Sequence, residues 1–539
     1  MKKGRYLLLP AAILAAGALA ASGTAVAGTT AAGTAATTAV HAGAQLAAKA
    51  HHHRSLAGRG SPATKTKIGR FSHPKPKEFD HDQFGHIKLP AGHFRKLPKG
   101  KQTAAGQAPN AAAAGPASDP PPTINLLTPN AVPYSGFNPE EPTTAAVGNT
   151  VVYTSNDLIS FSVNGGRNFV NFNPRSMYSD NPAGGADGDQ DVIYVPQIGE
   201  FVWLIQYFAG NNGANLDRLA VFPPSAVNDA GLTSWTYWDI TAKMLPGLRP
   251  FLDFPDLAFG SKYLYLTQDG GLNGSVNQTF IARIGLTNLK QGLNLAAGPE
   301  AWRYVLGSLF FGKVVQNTGS VAYWASNSSN STMAASYWPE SSTSWTGPVN
   351  VNVDTWPDTS ASFKSVFPDG KSWLNLYQGT VEGSVRIGND LYFAWTAGRG
   401  SGQESWLKQP NVQLVEMTTG FKFVSQRAIW NADYVYAWPN LTAAPNAKGT
   451  EQLGISLVWG GNGKFYANAS VGDLTTSPYL LDTTVTSNAD CGCGRWGDYL
   501  AVRPYYAVPG AASTSQFVAT GYGYESSTGY DDVYVAFTG

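Results

Sequence analysis

The sequence predicts an all-β fold: a single β-propeller of seven blades, with six as the alternative, behind a signal peptide and an unstructured leader. Three observations support this prediction. Short runs of β-branched and aromatic residues recur between Gly, Asn, Asp and Pro. No helical periodicity competes with these runs. A short motif also repeats along the chain at intervals of about 60 residues, enough for a four-stranded blade with its loops.

Residues 1–27 have the features of a signal peptide. Lys2, Lys3 and Arg5 precede an apolar run that ends near Ala20, and Ala25-Val26-Ala27 offers small residues for cleavage. The apolar run is shorter than the roughly 20 residues that a membrane-spanning helix needs. We therefore expect a secreted protein without a membrane span.

Residues 28–125 form a basic leader rich in Ala, Gly, Thr, Pro, Lys and His. It contains 13 Lys and Arg against 4 Asp and Glu, with almost no aromatic residues. Such a segment buries too little apolar surface to offset the entropy of ordering, so we expect it to be disordered. Its charge suits either a cleavable pro-segment or adhesion to anionic cell-wall polymers.

Residues 126–539 differ in kind and form the predicted propeller. All 15 Trp lie here, with 21 Lys and Arg against 32 Asp and Glu. The short strand-like runs, without helical crossovers, exclude a parallel α/β sheet. An acidic domain lacks the positive potential that nucleic-acid phosphates require, so we expect no nucleic-acid partner. We expect a monomer.

The repeated motif is an aromatic residue, then Pro or Gly, then Asp or Asn. Its clearest copies are Phe254-Pro255-Asp256, Trp356-Pro357-Asp358, Trp438-Pro439-Asn440 and Trp496-Gly497-Asp498. Weaker copies are Glu141-Pro142, Gln190-Asp191 and Phe311-Gly312-Lys313. Too few strand runs follow Asp498 to complete a blade. The segment near Thr123 to Pro133 is therefore expected to supply the missing strand and close the ring.

One hairpin motif carries a family resemblance. Ser162-Val163-Asn164-Gly165-Gly166-Arg167-Asn168-Phe169 resembles a degenerate Asp-box of sialidase-like β-propellers, and Asp369-Gly370-Lys371-Ser372-Trp373 is a shorter echo. In such a turn the Asn or Asp accepts backbone N–H bonds and Gly takes positive φ. Residues 126–539 also resemble secreted bacterial sialidase-like propellers of uncharacterised function, which implies the fold. The early Phe-Arg-Ile-Pro motif of sialidases is missing, so sialidase activity is not expected.

Histidine is confined to the leader. All eight His lie between His41 and His93, so nucleophile systems that use His and zinc or iron sites with His ligands are excluded from the predicted propeller. Catalysis there must use carboxylates, Tyr, Arg or Lys.

The starts of the blades supply the candidate site, because the innermost strands of a propeller begin near one rim of its channel. Two carboxylates suit glycoside hydrolysis, whereas Tyr with Arg suits polysaccharide elimination. The alternative without a catalytic role is that each Asp only accepts backbone N–H bonds in the turn that precedes its own strand. The predicted catalytic residues are Asp191, Asp256, Asp498, Arg495 and Tyr499. The predicted ligand-binding residues are Glu141, Asp358, Trp438 and Trp496.

Two further features concern metals and thiols. Asp187-Gly188-Asp189-Gln190-Asp191 begins like a calcium-binding loop, although Val192 and Ile198 replace its Gly and Glu. Asp187, Asp189 and Asp191 are thus candidate ligands of a structural calcium ion, and no other cofactor is expected. The only two cysteines, Cys491 and Cys493, are expected to form a small disulfide in an exported protein, with redox catalysis as the alternative.

These features predict a secreted propeller that binds or cleaves an extracellular polysaccharide at one mouth of its channel. The acidic, aromatic-rich domain favours neutral or cationic glycans over anionic ones. The alternative is a non-catalytic interaction scaffold of the cell envelope.

Overall fold

The computed structural model describes most of the chain from residue 122 onward and a short part of the leader. The described residues are 51–59, 61, 63–67, 122–129, 131, 140–156, 158–177, 185–210, 214–272, 275–308, 311–374, 379–475, 480–490, 496, 500–508, 515–526 and 529–539. No helix in these ranges is long and apolar enough to cross a membrane. The predicted signal peptide lies outside them.

The described regular structure is almost entirely β. In chain order the strands are β1 (His51–Arg54), β2 (Leu56–Ala57), β3 (Thr64–Lys67), β4 (Thr123–Thr128), β5 (Thr143–Val147), β6 (Thr150–Ser155), β7 (Leu158–Ser162), β8 (Val170–Phe172), β9 (Ala186–Val195), β10 (Glu200–Tyr207), β11 (Leu216–Phe222), β12 (Val227–Asn228), β13 (Gly231–Leu232), β14 (Ser234–Thr241), β15 (Phe251–Phe259), β16 (Tyr263–Leu272), β17 (Ser275–Gly285), β18 (Arg303–Ser308), β19 (Val321–Ser329), β20 (Thr332–Pro339), β21 (Ser344–Asn352), β22 (Val381–Ile387), β23 (Asp390–Ala397), β24 (Asn411–Thr418), β25 (Phe423–Ile429), β26 (Val435–Pro445), β27 (Glu451–Gly461), β28 (Phe465–Asp473), β29 (Leu480–Val485), β30 (Val502–Tyr506), β31 (Phe517–Ser526) and β32 (Gly529–Thr538). Short α-helices span Pro174–Met177 and Leu286–Gln291, and 3₁₀ turns span Pro224–Ala226, Ala242–Met244 and Gly402–Glu404.

These strands form a propeller-like series of sheets. Sheet 1 contains β9, β10, β11 and β14; sheet 2 contains β15 to β18; sheet 3 contains β19 to β21. Sheet 4 contains β22 to β25, and sheet 5 contains β26 to β29. Sheet 6 has the order β4-β32-β31-β30-β5-β6-β7-β8 and joins the two ends of the domain. A strand-rich, all-β architecture was expected from the sequence and is confirmed.

Sheet 6 closes the ring. β4 pairs antiparallel with the last strand, β32, so that Leu127 lies opposite Val535. β30 pairs parallel with β5, with Tyr505 opposite Ala146. The predicted pairing of the segment near Thr123 with the end of the chain is thus confirmed, and β4 straddles the predicted domain boundary at residue 126.

Apolar side chains fill the spaces between consecutive sheets. Between sheets 1 and 2, Leu204 and Leu219 share one cluster with Leu264 and Leu266. Equivalent clusters join sheets 2 and 3, 3 and 4, 4 and 5, 5 and 6, and 6 and 1. The sheets therefore pack face to face around a closed series. Most Trp serve this core, since fully buried examples include Trp203, Trp238, Trp302, Trp324, Trp338, Trp373, Trp395 and Trp496.

The described part of the leader is ordered along the outside of three sheets. β1 pairs antiparallel with β21, β2 with β18, and β3 with β14. The His53 ring stacks on Trp345 with 4.5 Å between ring centres. The disorder predicted for residues 28–125 is therefore wrong for residues 51–59, 61 and 63–67, which we call the strap. The outer edge of a sheet offers unpaired N–H and C=O groups, so backbone pairing holds a segment that has few apolar side chains. The remainder of the leader lies outside the described residues.

The turn after β7 has the chemistry that the sequence predicts. Asn164 Oδ1 accepts the backbone N–H groups of Arg167 and Asn168, at 3.0 and 3.1 Å. Gly166 has φ of 88°, and a Cβ atom there would lie 2.2 Å from the Tyr534 ring. Only Gly therefore allows this turn to pack against β32.

Candidate functional site

A small polar cavity lies against the first strands of most of the sheets. Sheets 1, 2, 4, 5 and 6 contribute to its lining, and Lys313 lies just before Val314, which bridges to Trp324 of sheet 3. The full lining consists of Thr143, Asp191, Asp256, Lys313, Glu382, Trp438, Pro439, Asn440, Leu500 and Arg503. The cavity volume is about 10 Å³, close to the minimum that holds one water molecule. The arrangement thus concentrates charge in a very small space.

Three lining residues follow a proline, and they explain the repeated sequence motif. These residues are Thr143, Asp256 and Asn440. The residue before each proline has a left-handed backbone, with φ of 53° at Glu141, 57° at Phe254 and 49° at Trp438. This conformation is strained for residues other than Gly and costs about 1–3 kcal/mol at each position. In these three copies the motif is therefore a strained turn that brings the residue after proline to the cavity.

Asp191 lies at the centre of a network that spans several sheets. Its Oδ1 lies 3.1 Å from Nη2 of Arg503, and its Oδ2 accepts the N–H of Leu257 at 2.8 Å. Arg503 also donates from Nη1 to Oδ1 of Asn440 at 3.3 Å. Burial raises the pKa of Asp191; Arg503 opposes the rise, and Asp256 adds to it. Asp191 therefore does not merely cap its own turn, because its partners lie in sheets 2 and 6.

Asp256 forms the second ion pair of the cavity. Its Oδ2 lies 3.4 Å from Nζ of Lys313, and the two side chains are only 9% and 11% exposed. The same ammonium lies 4.2 Å from the centre of the Phe254 ring, within cation–π range. Solvent therefore screens this pair much less than a surface pair.

Glu382 is the third buried carboxyl. Its Oε2 accepts the hydroxyl of Thr396 at 3.0 Å, and that hydroxyl accepts the N–H of Trp438 at 2.9 Å. Threonine on the second strand plays a similar part elsewhere: Thr267 accepts the N–H of Val314, and Thr520 accepts that of Ala501. These hydroxyls fix the starts of the strands that line the cavity.

The cavity brings three carboxyl groups together with one guanidinium and one ammonium. Carboxyls in such different surroundings are suited to acid–base work, since an acid and a base need separated pKa values. The positive groups are each occupied by a carboxylate of the same cavity. An anionic ligand would therefore compete with existing ion pairs.

The structure brings some predicted site residues to the cavity. Asp191, Asp256 and Trp438 line it. Glu382 and Arg503 line it as well and were missed, whereas Lys313 appeared only in a weak copy of the motif. The sequence signal that could have identified Arg503 is a charged residue at the start of a strand run. Many other positions in the sequence share that feature, so it does not single out Arg503.

Three other predicted residues do not line the cavity. Glu141 is buried and accepts a hydrogen bond from Nδ2 of Asn156 at 3.0 Å. Asp358 is half-buried after β21, and no described strand follows until β22. Trp496 is fully buried and stacks on Tyr522 with 4.9 Å between ring centres, so it belongs to the core between sheets 5 and 6. The remaining predicted residues lie outside the described ranges: Cys491, Cys493, Arg495, Asp498 and Tyr499.

The predicted calcium ligands Asp189 and Asp191 have described side chains, whereas that of Asp187 is not described. Asp189 and Asp191 share a face of β9 because they are two residues apart, but Arg503 and the Leu257 N–H occupy the Asp191 carboxylate. Among the described side chains, no group of three or more His, Cys, Asp or Glu is placed to hold a metal ion. Asp191 therefore links sheets 1, 2 and 6.

Comparisons with known proteins give weak structural similarities. No protein-family model matches the chain, and no curated protein matches it. An α-L-arabinanase of Penicillium chrysogenum complexed with arabinobiose aligns with a TM-score of 0.35 and 10% identity, covering 77% of this chain and 98% of that one. A Fusarium graminearum α-L-arabinofuranosidase with arabinobiose gives 0.36 and 9%, covering 77% and 98%. A subtype N11 neuraminidase-like protein of A/flat-faced bat/Peru/033/2010 gives 0.30 and 10%, covering 67% and 92%. No conclusion about the chemistry of this chain rests on these similarities.

Proposed function

We propose that this protein is a secreted seven-bladed propeller that binds an extracellular polysaccharide at the central cavity and hydrolyses it. One observation carries the proposal: Asp191, Asp256 and Glu382 converge on one cavity with Lys313 and Arg503. Residues from widely separated parts of the chain meet there, and two carboxyl groups are the usual requirement of glycoside hydrolysis.

The blade number is supported by the lining of the cavity and by the core. Treating the two halves of sheet 6 as separate blades gives seven, because β30 and β5 meet through only a short parallel contact. A distinct apolar cluster then lies between these halves, as it does between other neighbours. Six of the seven units contribute one polar lining residue from a described strand, and Lys313 lies on the segment that bridges to the remaining unit, sheet 3, at Val314. The seven residues are Thr143, Asp191, Asp256, Lys313, Glu382, Asn440 and Arg503.

The proposed chemistry divides the carboxyl groups by environment. Glu382, which is buried and accepts a hydrogen bond from the neutral hydroxyl of Thr396, is the proposed group that donates a proton to the leaving oxygen, while Asp191 stays ionised beside Arg503. Asp256, paired with Lys313, is the proposed base or nucleophile. The predicted propeller contains no His in its sequence, so carboxyls are the available acid and base. A neutral glycan fits best, because it leaves both ion pairs intact while its hydroxyls bind at the cavity mouth.

A second candidate is a non-catalytic scaffold of the cell envelope. The small cavity and the enclosed Asp191–Arg503 pair favour it, since a volume of about 10 Å³ admits a water molecule but no sugar ring. In that case the network serves only to hold the sheets together. The hydrolase instead requires the sugar to lie at the cavity mouth and only a water or hydroxyl to enter.

A glycan panel separates the two candidates. The full chain is assayed for binding and for release of reducing sugar, beside Asp256→Asn and Glu382→Gln. The hydrolase is expected to lose turnover by about 100-fold or more in both variants. Asp358→Asn is the matched control, because this half-buried carboxylate does not line the cavity, and it should retain full turnover.

Three results bear on the proposal in different ways. Binding without turnover in the unaltered protein favours the scaffold. Turnover that survives both cavity substitutions places the active site elsewhere. Near-ultraviolet circular dichroism of each variant confirms that a loss of activity is not a loss of fold.

A further inference from the structure

A polar layer ends the apolar interface between sheets 1 and 2. Along three strands, the row of side chains facing this interface starts with apolar residues and ends with a polar one. The rows are Val202, Leu204 and Gln206 on β10; Val221, Leu219 and Asp217 on β11; and Leu264, Leu266 and Gln268 on β16. Their alternation follows from the two-residue period of a strand. Three polar side chains therefore meet at one end of a hydrophobic interface.

The polar layer is almost fully closed to solvent. Gln206, Asp217 and Gln268 are 8%, 0% and 1% exposed. By distance and angle, the carboxylate oxygens of Asp217, the amide atoms of Gln268 and Oε1 of Gln206 make no well-formed hydrogen bond to the protein. The Gln268 amide is nevertheless close enough to Asp217 to stabilise its charge. Buried polar groups are nearly always satisfied in folded proteins, and an ion or ordered water is the usual partner where the protein offers none.

The surroundings of the polar layer are negative. Burial raises the pKa of Asp217 well above its usual range; the Asp189 and Asp253 carboxylates raise it further, whereas the amide of Gln268 opposes the rise. Gln206 donates from Nε2 to Oδ1 of Asp253 at 3.4 Å, which fixes Asp253 beside the layer. The oxygen atoms of Asp217, Gln206 and Gln268 thus lie in a negative electrostatic environment.

We propose that Asp217, Gln206 and Gln268 hold a calcium ion between sheets 1 and 2, with Asp189 and Asp253 beside it. Calcium takes six to eight oxygen ligands in adaptable geometry and accepts both carboxylate and amide oxygens. Magnesium is a poorer fit, because it demands an octahedral site and retains its waters. The site mixes amides with carboxylates, so a pattern of Asp, Glu, His and Cys alone does not reveal it.

The ion has a structural consequence for the candidate active site. Asp189 precedes Asp191 by two residues on β9, and Asp253 precedes Asp256 by three on β15. A cation bound between these strands fixes the relative positions of both cavity carboxylates. The inference rests on the geometry of the interface alone and does not depend on the proposed hydrolysis.

Isothermal titration of CaCl₂ into the EGTA-treated full chain tests the inference, together with thermal unfolding in CaCl₂, MgCl₂ or NaCl. One calcium ion is expected to bind per chain and to raise the unfolding midpoint, with a smaller shift in magnesium. Asp217→Asn and Gln268→Leu should each abolish both effects. Asp229→Asn removes an exposed carboxylate in the turn between β12 and β13 and should leave both effects unchanged.

The alternative is that water molecules satisfy the layer beside a protonated Asp217. That alternative predicts neither heat nor a midpoint shift with millimolar calcium, and this result would overturn the proposal. Calcium binding that persists in both layer variants would overturn it equally, since the ion would lie elsewhere. If Asp217→Asn does not fold, Gln268→Leu decides, because it removes an oxygen donor without changing charge.

Discussion

Replacing Arg503 with methionine is expected to lower the free energy of unfolding by about 3–5 kcal/mol at pH 7. The substitution removes the guanidinium that lies 3.1 Å from Asp191, and the two side chains are only 5% and 2% exposed. Asp191 then keeps the Leu257 N–H but loses its counter-charge. An unpaired buried carboxylate is far more costly than the loss of an exposed ion pair.

The pH dependence of this loss has a definite sign. Arg503 opposes the rise in the pKa of Asp191, so its removal raises that pKa further. The carboxyl of the variant can then take up a proton in the folded state at low pH. The destabilisation is thus largest near neutral pH and shrinks as the pH falls towards the unfolded value near 4.

Urea unfolding followed by Trp fluorescence measures the effect at pH 5 and pH 7.5. Arg399→Met, at an exposed arginine, is the control and should change stability by less than about 0.5 kcal/mol. The double variant Asp191→Asn with Arg503→Met should recover most of the loss, because it leaves neither charge of this pair buried without its partner. A loss below about 1 kcal/mol for Arg503→Met at pH 7.5, or no recovery in the double variant, would refute the assigned ion pair.

Three further predictions follow from the same contacts. Burial raises the pKa of Asp269 to about 6. The stability that the protonated carboxyl contributes is therefore full below about pH 4 and is lost as the pH rises through 6. In urea unfolding, Asp269→Asn should raise the free energy of unfolding by up to about 3 kcal/mol at pH 7 and change it little at pH 4. Thr396→Val leaves Glu382 and the Trp438 N–H without a shared hydroxyl, and should cost about 1–3 kcal/mol in the same assay. Deleting residues 51–67 should accelerate hydrogen exchange in β14, β18 and β21 but not in β25, which the described strap does not touch; equal exchange in both would contradict the pairing.

The strand pattern was the most predictable part of this protein. Runs such as Phe201 to Tyr207 and Ile455 to Trp459 are rich in β-branched and aromatic residues, and both fall within strands. Ring closure was predictable because the last strand runs were too few to complete a blade. The strap was not predictable from composition, since it is held through backbone groups that any residue possesses.

The site was predictable only where the local motif determines backbone direction. In Phe254-Pro255-Asp256 and Trp438-Pro439-Asn440, the residue after proline reaches the cavity. Trp356-Pro357-Asp358 has the same pattern, but Trp356 is not among the residues with positive φ, and Asp358 stays outside. Arg503 could not be identified in the same way, because its partner Asp191 lies 312 positions away and meets it only when the ring closes.

The energetic cost of the cavity favours a function over mere support. Three residues before the prolines of its lining, Glu141, Phe254 and Trp438, have left-handed backbones. Each costs about 1–3 kcal/mol of conformational strain. Two ion pairs are buried there, although well-packed apolar residues often give equal or greater stability. A scaffold under selection for stability alone gains little from this arrangement beyond the links between sheets. The positioning of carboxyl groups against a ligand, as we propose, would account for the cost, so the glycan assay is the decisive experiment.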